Sequence, residues 1–456
     1  MRNLLLISYY FPPRGGSGVQ RPSKFARYLA DHGYQSHVVT CDDGSITNTR
    51  DNSLLKNLNG TQVHRVPGRE ELVKKLGKMH LGPLVTLGLR PDAQVLWKDA
   101  AVKEALRIAK QSRIDAIFST VQPFASALVG LELKKKLGLP WILDYRDPWT
   151  NSTSITWPSK WHFEREREME RKCLLHCDRA LVVTSGMRDA LAEAFPEFAH
   201  KIRLIPNGFD PEDFKGLEAD KRVDDGVFRL GYAGRLYSVG GKQNRLHRSG
   251  GLTYRNCEVD FVTHSARFLI LGIQRLFEQH PELRGKLSVD LAGNIPADNK
   301  AFAEECGVAD TVHVHGMLPH REAIQLVSRS DAVFLPMRRE ADNRRSYNAS
   351  GKIYEYLAQH KPILAAVPEG DAADLVRDAR AGWVVDPADV QAYADKLYEL
   401  ITRKQTGPLR IDPDVALINT YTRQNQAAML ANELDSLLPA APAARSMPTP
   451  APVAVS

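Results

Sequence analysis

Ser350-Gly351-Lys352-Ile353-Tyr354-Glu355-Tyr356-Leu357-Ala358, followed at once by Gln359-His360-Lys361-Pro362-Ile363-Leu364-Ala365-Ala366, reads as a loop, a helix and a buried strand. Ser350 is a good N-cap and Gly351 lets a ligand approach the backbone. The helix start therefore gathers free N–H groups, a positive dipole end and the Lys352 ammonium, which together suit an anion. Glu355, about one turn further in, offers a carboxylate to sugar or ribose hydroxyls beside a bound phosphate. Phosphate plus hydroxyls points to a nucleotide or a nucleotide sugar. A solvated Lys–Glu pair on an ordinary surface helix would use the same residues, so the rest of the chain decides.

Working outward, short apolar runs alternate with helical periodicity in two blocks, the pattern of parallel sheets wrapped by helices. The first block has strands predicted at Leu4–Tyr9, Ser36–Thr40, Ala116–Ser119, Trp141–Asp144 and Ala180–Thr184, with helices such as Arg21–His32 and Phe163–His176. The second has Phe228–Ala233, Leu287–Ala292, Val312–His315, Ala332–Leu335, Pro362–Ala366 and Gly382–Val385. Between them, Arg203-Leu204-Ile205-Pro206-Asn207-Gly208-Phe209-Asp210-Pro211 reads as a strand end and a hinge. The fold class implied is α/β, with two doubly wound domains facing one cleft. Ligands of such sheets bind beyond the carboxyl ends of the strands.

Composition narrows the function classes. At 456 residues, 43% hydrophobic and 25% charged, the chain is long enough for two globular domains. No apolar run approaches the roughly 20 residues of a spanning helix, and Leu4–Tyr9 is read as a buried strand of a cytoplasmic protein. The five cysteines (Cys41, Cys173, Cys177, Cys257, Cys306) are scattered and read as reduced structural thiols, with no metal site expected. The net charge of +7 attracts anionic partners. Nucleic acid is disfavoured because no recognition motif accompanies the basic residues. The mixed apolar and Lys-rich stretch 72–90 suits either a membrane surface or a core helix with a basic outer face.

The loops after strands carry the chemistry. Gly15, Gly16, Ser17 and Gly18 follow the first strand and expose backbone N–H groups. Asp144-Tyr145-Arg146-Asp147-Pro148-Trp149 ends the fourth, where Asp144, Arg146 and Asp147 are read either as cleft residues or as an internal salt bridge beside a packed Trp149. Gly234-Arg235 follows the first strand of the second block, where a guanidinium could neutralise a diphosphate leaving group.

Taken in order, the Gly-Gly-Ser-Gly loop, Asp-Tyr-Arg-Asp-Pro-Trp, Ile205-Pro206-Asn207-Gly208-Phe209-Asp210, Gly231-Tyr232-Ala233-Gly234-Arg235-Leu236 and Ser-Gly-Lys-Ile-Tyr-Glu-Tyr-Leu-Ala resemble the retaining glycosyltransferases of the GT-B fold, family 4. The resemblance implies two Rossmann-like domains: an acceptor domain at 1–208 and a nucleotide-sugar domain at 209–417. It further implies a helix at 418–438 crossing back to the first domain, and composition adds a flexible Pro/Ala tail at 439–456. Carried over by position, Arg235 and Lys242 would hold the donor diphosphate, Glu355 the ribose, and the Gly15–Gly18 loop would close over the cleft. No cofactor or metal is implied beyond the nucleoside diphosphate sugar itself.

Three positions depart from the family pattern. Tyr347 stands eight residues before Glu355, where relatives often have a glutamate touching the donor hexose. Phe124 stands where relatives tend to have a histidine. An insertion at 237–267 follows the Gly-Arg turn, where a phosphate-binding lysine is expected. His313 and His315, like Trp97, Trp157 and Trp161, are read as structural. The expectation is transfer of a hexose, with retention, to a hydroxyl of a glycan or lipid-linked acceptor at the inner membrane surface. A nucleotide-sugar epimerase or a non-catalytic sugar-binding scaffold are the alternatives.

Overall fold

The computed structural model describes residues 1–42, 50–58, 60–69, 71, 88–216, 225–240 and 253–439. Lys242, the tail from 440 and nearly all of the 72–90 stretch lie outside the described residues. Strands β1 (Arg2–Ile7), β2 (Tyr34–Cys41), β3 (Gln62–Val66), β4 (Ala116–Val121), β5 (Trp141–Tyr145), β6 (Arg179–Val182) and β7 (Ile202–Leu204) form a parallel sheet ordered β3-β2-β1-β4-β5-β6-β7. The second block contains β8 (Phe228–Arg235), β9 (Val259–Asp260), β10 (Leu287–Asn294), β11 (Val312–Gly316), β12 (Ala332–Pro336), β13 (Arg339–Glu340), β14 (Ile363–Ala366) and β15 (Gly382–Val385). Six of these make a second parallel sheet, β11-β10-β8-β12-β14-β15, while β9 and β13 pair as a short antiparallel ribbon.

Alternation along β1 shows how the layers form. Leu5 and Ile7 join one apolar core with the helices Lys98–Gln111 and Ala125–Leu137. Leu4 and Leu6 face the other side, against Phe25 and the last described helix, Arg423–Leu437. In both sheets the strand order reverses once, between β1 and β4 and between β8 and β12. These switch points open crevices at the carboxyl ends of the strands, and the loops that follow β1, β4, β8 and β12 line them.

The expected α/β class with two doubly wound sheets is present. The first helix runs from Ser17 to Tyr28, earlier than the predicted Arg21 start, and continues to His32 as a 3₁₀ turn. Edge strand β3 and the β9–β13 ribbon were not anticipated, whereas β7 covers part of the strand end read at Arg203 and Leu204. At the hinge, the Phe209 amide donates to the Tyr421 carbonyl (3.1 Å) and the Arg423 amide to the Phe209 carbonyl (2.8 Å), so two chain crossings lie side by side. Gly208 permits this approach, since a Cβ there would stand 1.8 Å from the Tyr421 oxygen.

Candidate functional site

Helix Gly351–Ala358 begins at Ser350, whose hydroxyl accepts from the Lys352 amide at 3.4 Å, and Gly351 is exposed with open space beyond it. Lys352 runs inward from this cap past Gly234. A Cβ on Gly234 would meet the lysine Cε at 2.1 Å and Nζ at 2.6 Å, so the tip of the lysine lies directly on the backbone where β8 ends. The Lys352 ammonium lies 5.9 Å from the Tyr232 ring centroid and has no hydrogen-bond or salt-bridge partner among the described residues. Burial lowers its pKa, and the charge of Glu355 offsets this only in part.

Three further basic groups lie in the same region, where His264 feels the charges of Lys352, Arg338 and Arg235. Arg235, at the end of β8, is exposed and lies over Tyr237 at 5.1 Å. Arg338, two residues beyond β12, lies 5.9 Å from the Phe261 centroid, and its Nε is buried without a partner. His264 comes from the insertion. Its imidazole is lowered to about 3 by burial and then by the charges of Lys352, Arg338 and Arg235. Among the described residues none of the four has a salt-bridge partner. Glu355 is exposed and shares a recess with Gln20, Asp213 and Arg423.

Across the cleft the three residues after β5 divide. Asp144 is fully buried, paired with Arg21 at 2.8 Å and accepting from the Thr120 hydroxyl at 2.8 Å. Arg146 is spent on backbone carbonyls: Val121 at 2.9 Å, Gln122 and Gly18. The Gly18 carbonyl is available because Pro22, four residues on, has no N–H to donate to it. Arg146 therefore fastens the Gly15–Gly18 loop, where Gly16 takes a φ of +103° at the helix start. Asp147 alone reaches the cleft. Its carboxyl is raised by burial and drawn back by Arg146 and Arg338, and among the described residues it makes no hydrogen bond.

The departures also have places. Tyr347 turns toward the first domain, its hydroxyl donating to the Asn151 carbonyl while its own carbonyl accepts from Thr184 at 2.7 Å. Phe124 stacks on Trp149 with centroids 5.0 Å apart. Trp97 and Trp157 are buried, whereas Trp161 is exposed under Arg165. His315 pairs with Asp290 at 2.8 Å, and the described residues contain no group of three or more His, Cys, Asp or Glu that could hold a metal. No helix among them is long and apolar enough to cross a membrane. Sequence reasoning missed Arg338, His264 and the interdomain carboxylate Asp371, which accepts from the Ser185 hydroxyl (2.6 Å) and the Gly186 amide (3.0 Å). Arg338 had a usable signal, since it follows a strand at the switch point.

Two family profiles match this chain: Glycosyltransferase Family 4 over residues 23–213 and Glycosyl transferases group 1 over residues 261–403. No curated protein sequence matches. Similar solved structures include a glycosyltransferase from Rickettsia africae (12% identity, TM-score 0.59, covering 96% of this chain and 98% of that one). Anabaena HepE in complex with UDP is 16% identical, with a TM-score of 0.54 over 96% and 97% of the two chains. The lipopolysaccharide outer core galactosyltransferase WaaB is 14% identical, with a TM-score of 0.57 over 96% and 100%. At these identities the likeness is one of fold.

Proposed function

This chain belongs to the family-4, group-1 glycosyltransferases, enzymes that use nucleotide sugars, and from that premise we propose that it moves a hexose from a nucleoside diphosphate sugar to a hydroxyl acceptor with retention of configuration. The observation that carries this reading is the cluster of Arg235, Arg338, Lys352 and His264 at the switch point of the second sheet, basic groups that form no salt bridge among the described residues. An ammonium held partly desolvated and unpaired lacks the compensation such groups normally have, and a diphosphate supplies it.

In this reading the guanidinium groups and the Ser350 helix start stabilise the departing nucleoside diphosphate in place of a metal ion. Glu355 accepts from the ribose. Closure of the two domains excludes water, and the acceptor oxygen approaches from the face the leaving group vacates, near Asp147. A growing surface polysaccharide or lipid-linked glycan suits the net positive charge, which favours a cytoplasmic enzyme working on an anionic membrane face. The outer-core galactosyltransferase and the UDP complex among the structural neighbours support the same direction. The test is calorimetric titration of the protein with UDP, GDP, ADP and their sugars. Selective binding of one series is expected, and no binding in any series would refute the reading.

A further inference from the structure

The insertion at 237–267 interrupts the chain where a phosphate-binding lysine is expected, yet its described residues fold back onto the same pocket. Tyr237 is the pivot. Its ring meets His264 edge-on at 5.3 Å and Phe261 at 5.1 Å, while Arg235 lies over it at 5.1 Å. Phe261 in turn carries Arg338, and the Tyr237 amide donates to the His264 carbonyl at 3.0 Å. His264 is thus held by an aromatic platform among three cations from three other segments: the end of β8, the segment after β12 and helix Gly351–Ala358.

Resting on the donor-site reading above, we propose that His264 is a ligand of the donor diphosphate and that the nucleotide sugar binds together with one proton taken from solvent by this imidazole. Burial, and after it the charges of Lys352, Arg338 and Arg235, keep the ring neutral. Of the nearby acidic groups, Glu355 acts on Lys352 and Asp147 on Arg338, and two others are held locally. Asp260 accepts from the Val262 amide at 2.9 Å and Asp298 from the Ser238 hydroxyl. Arg267, on the following helix, donates to the Val239 carbonyl and lies over Phe302. A bound diphosphate reverses the local field. The imidazole then gains a charge, and both ring nitrogens become donors. The insertion completes the phosphate site rather than displacing it.

The experiment is calorimetry with UDP-glucose, GDP-mannose and ADP-glucose in two buffers of different ionisation enthalpy, near pH 6. Nucleotide sugars are chosen because their esterified diphosphate lacks the terminal phosphate ionisation near neutrality that free diphosphates carry. The expected result is uptake of about one proton per ligand and a Kd that rises up to roughly tenfold per pH unit between about pH 5 and pH 7. In folded His264→Gln the uptake disappears and affinity falls. Binding with a flat pH profile and no uptake, a measurement needing no variant, would overturn the proposal while leaving the donor site standing. Uptake unchanged in His264→Gln, or in His264→Asn should the first variant fail to fold, would overturn it equally. Absence of binding to all three sugars would overturn the donor-site reading together with this one.

Discussion

Replacing Lys352 by methionine separates function from stability, because the two should move in opposite directions. The lysine stem packs so closely on the end of β8 that a Cβ on Gly234 would lie 2.1 Å from its Cε, and among the described residues its ammonium has no hydrogen-bond or salt-bridge partner while burial lowers its pKa. In the ligand-free protein that ammonium is a cost. Methionine keeps the unbranched stem, fills the same slot and removes the charge. Relief of a functional-site penalty of this kind is worth on the order of 1 kcal/mol, which raises Tm by about 2–4 °C for a domain of this size. Binding should suffer instead. A hydrogen bond to a charged group contributes about 1.5–3 kcal/mol, so Kd for the nucleotide sugar should weaken about 10- to 150-fold. Differential scanning calorimetry without ligand and titration calorimetry with it read the two quantities. A lower Tm, or an unchanged Kd in the folded variant, would refute the picture of a desolvated lysine waiting for phosphate.

Other substitutions test neighbouring parts of the argument. Glu170 is buried beneath Thr150, and burial lifts its carboxyl from 4.5 to about 7. Its folded pKa exceeds its unfolded one, so its contribution is fully present below about pH 4.5 and is lost as pH rises through 7. Glu170→Gln should therefore shrink the drop in Tm between pH 5 and pH 8, and an unaltered drop would count against the assignment. Asp147→Asn should slow transfer by roughly tenfold or more while donor affinity holds or tightens, since a carboxylate beside Arg338 is removed; unchanged turnover would remove Asp147 from the acceptor side. Asp371→Asn weakens the anionic cap on helix Ser185–Ala194 from the opposite domain and should cost about 0.5–2 kcal/mol in urea unfolding.

The sheets were largely legible because parallel strands buried on both faces read as continuous apolar runs. Leu4–Ile7, Ile142–Leu143 and Ile363–Ala366 are of this kind, and each lies within an observed strand. The edge strand Gln62–Val66 escaped because its mixed residues, Gln-Val-His-Arg-Val, follow from having a neighbour on one side only. The cap, Gly351 and Lys352 could be placed from local spacing alone. Pairing could not. Asp144 sits beside Arg146 in sequence yet takes Arg21 from the first helix, and Arg146 spends itself on carbonyls freed by Pro22 and by the turn after β4. Which cation meets which carboxylate depends on crossovers of more than a hundred residues. For the same reason His264, remote in sequence from Lys352, became visible only once β8 and β12 lay side by side.

The last helix has a bearing on how the chain is made. Leu4, Leu6 and Phe25 are covered by Ala427, Leu430 and Leu434, so one face of the first sheet is completed by residues at the far end of the chain. A ribosome adds about 5–20 residues per second, and roughly 400 residues separate the two partners. During synthesis that apolar face stays uncovered for tens of seconds, until the whole second domain has emerged. The protein therefore cannot mature one domain at a time, and a nascent chain halted after the second sheet should present a surface for chaperones that the finished enzyme hides.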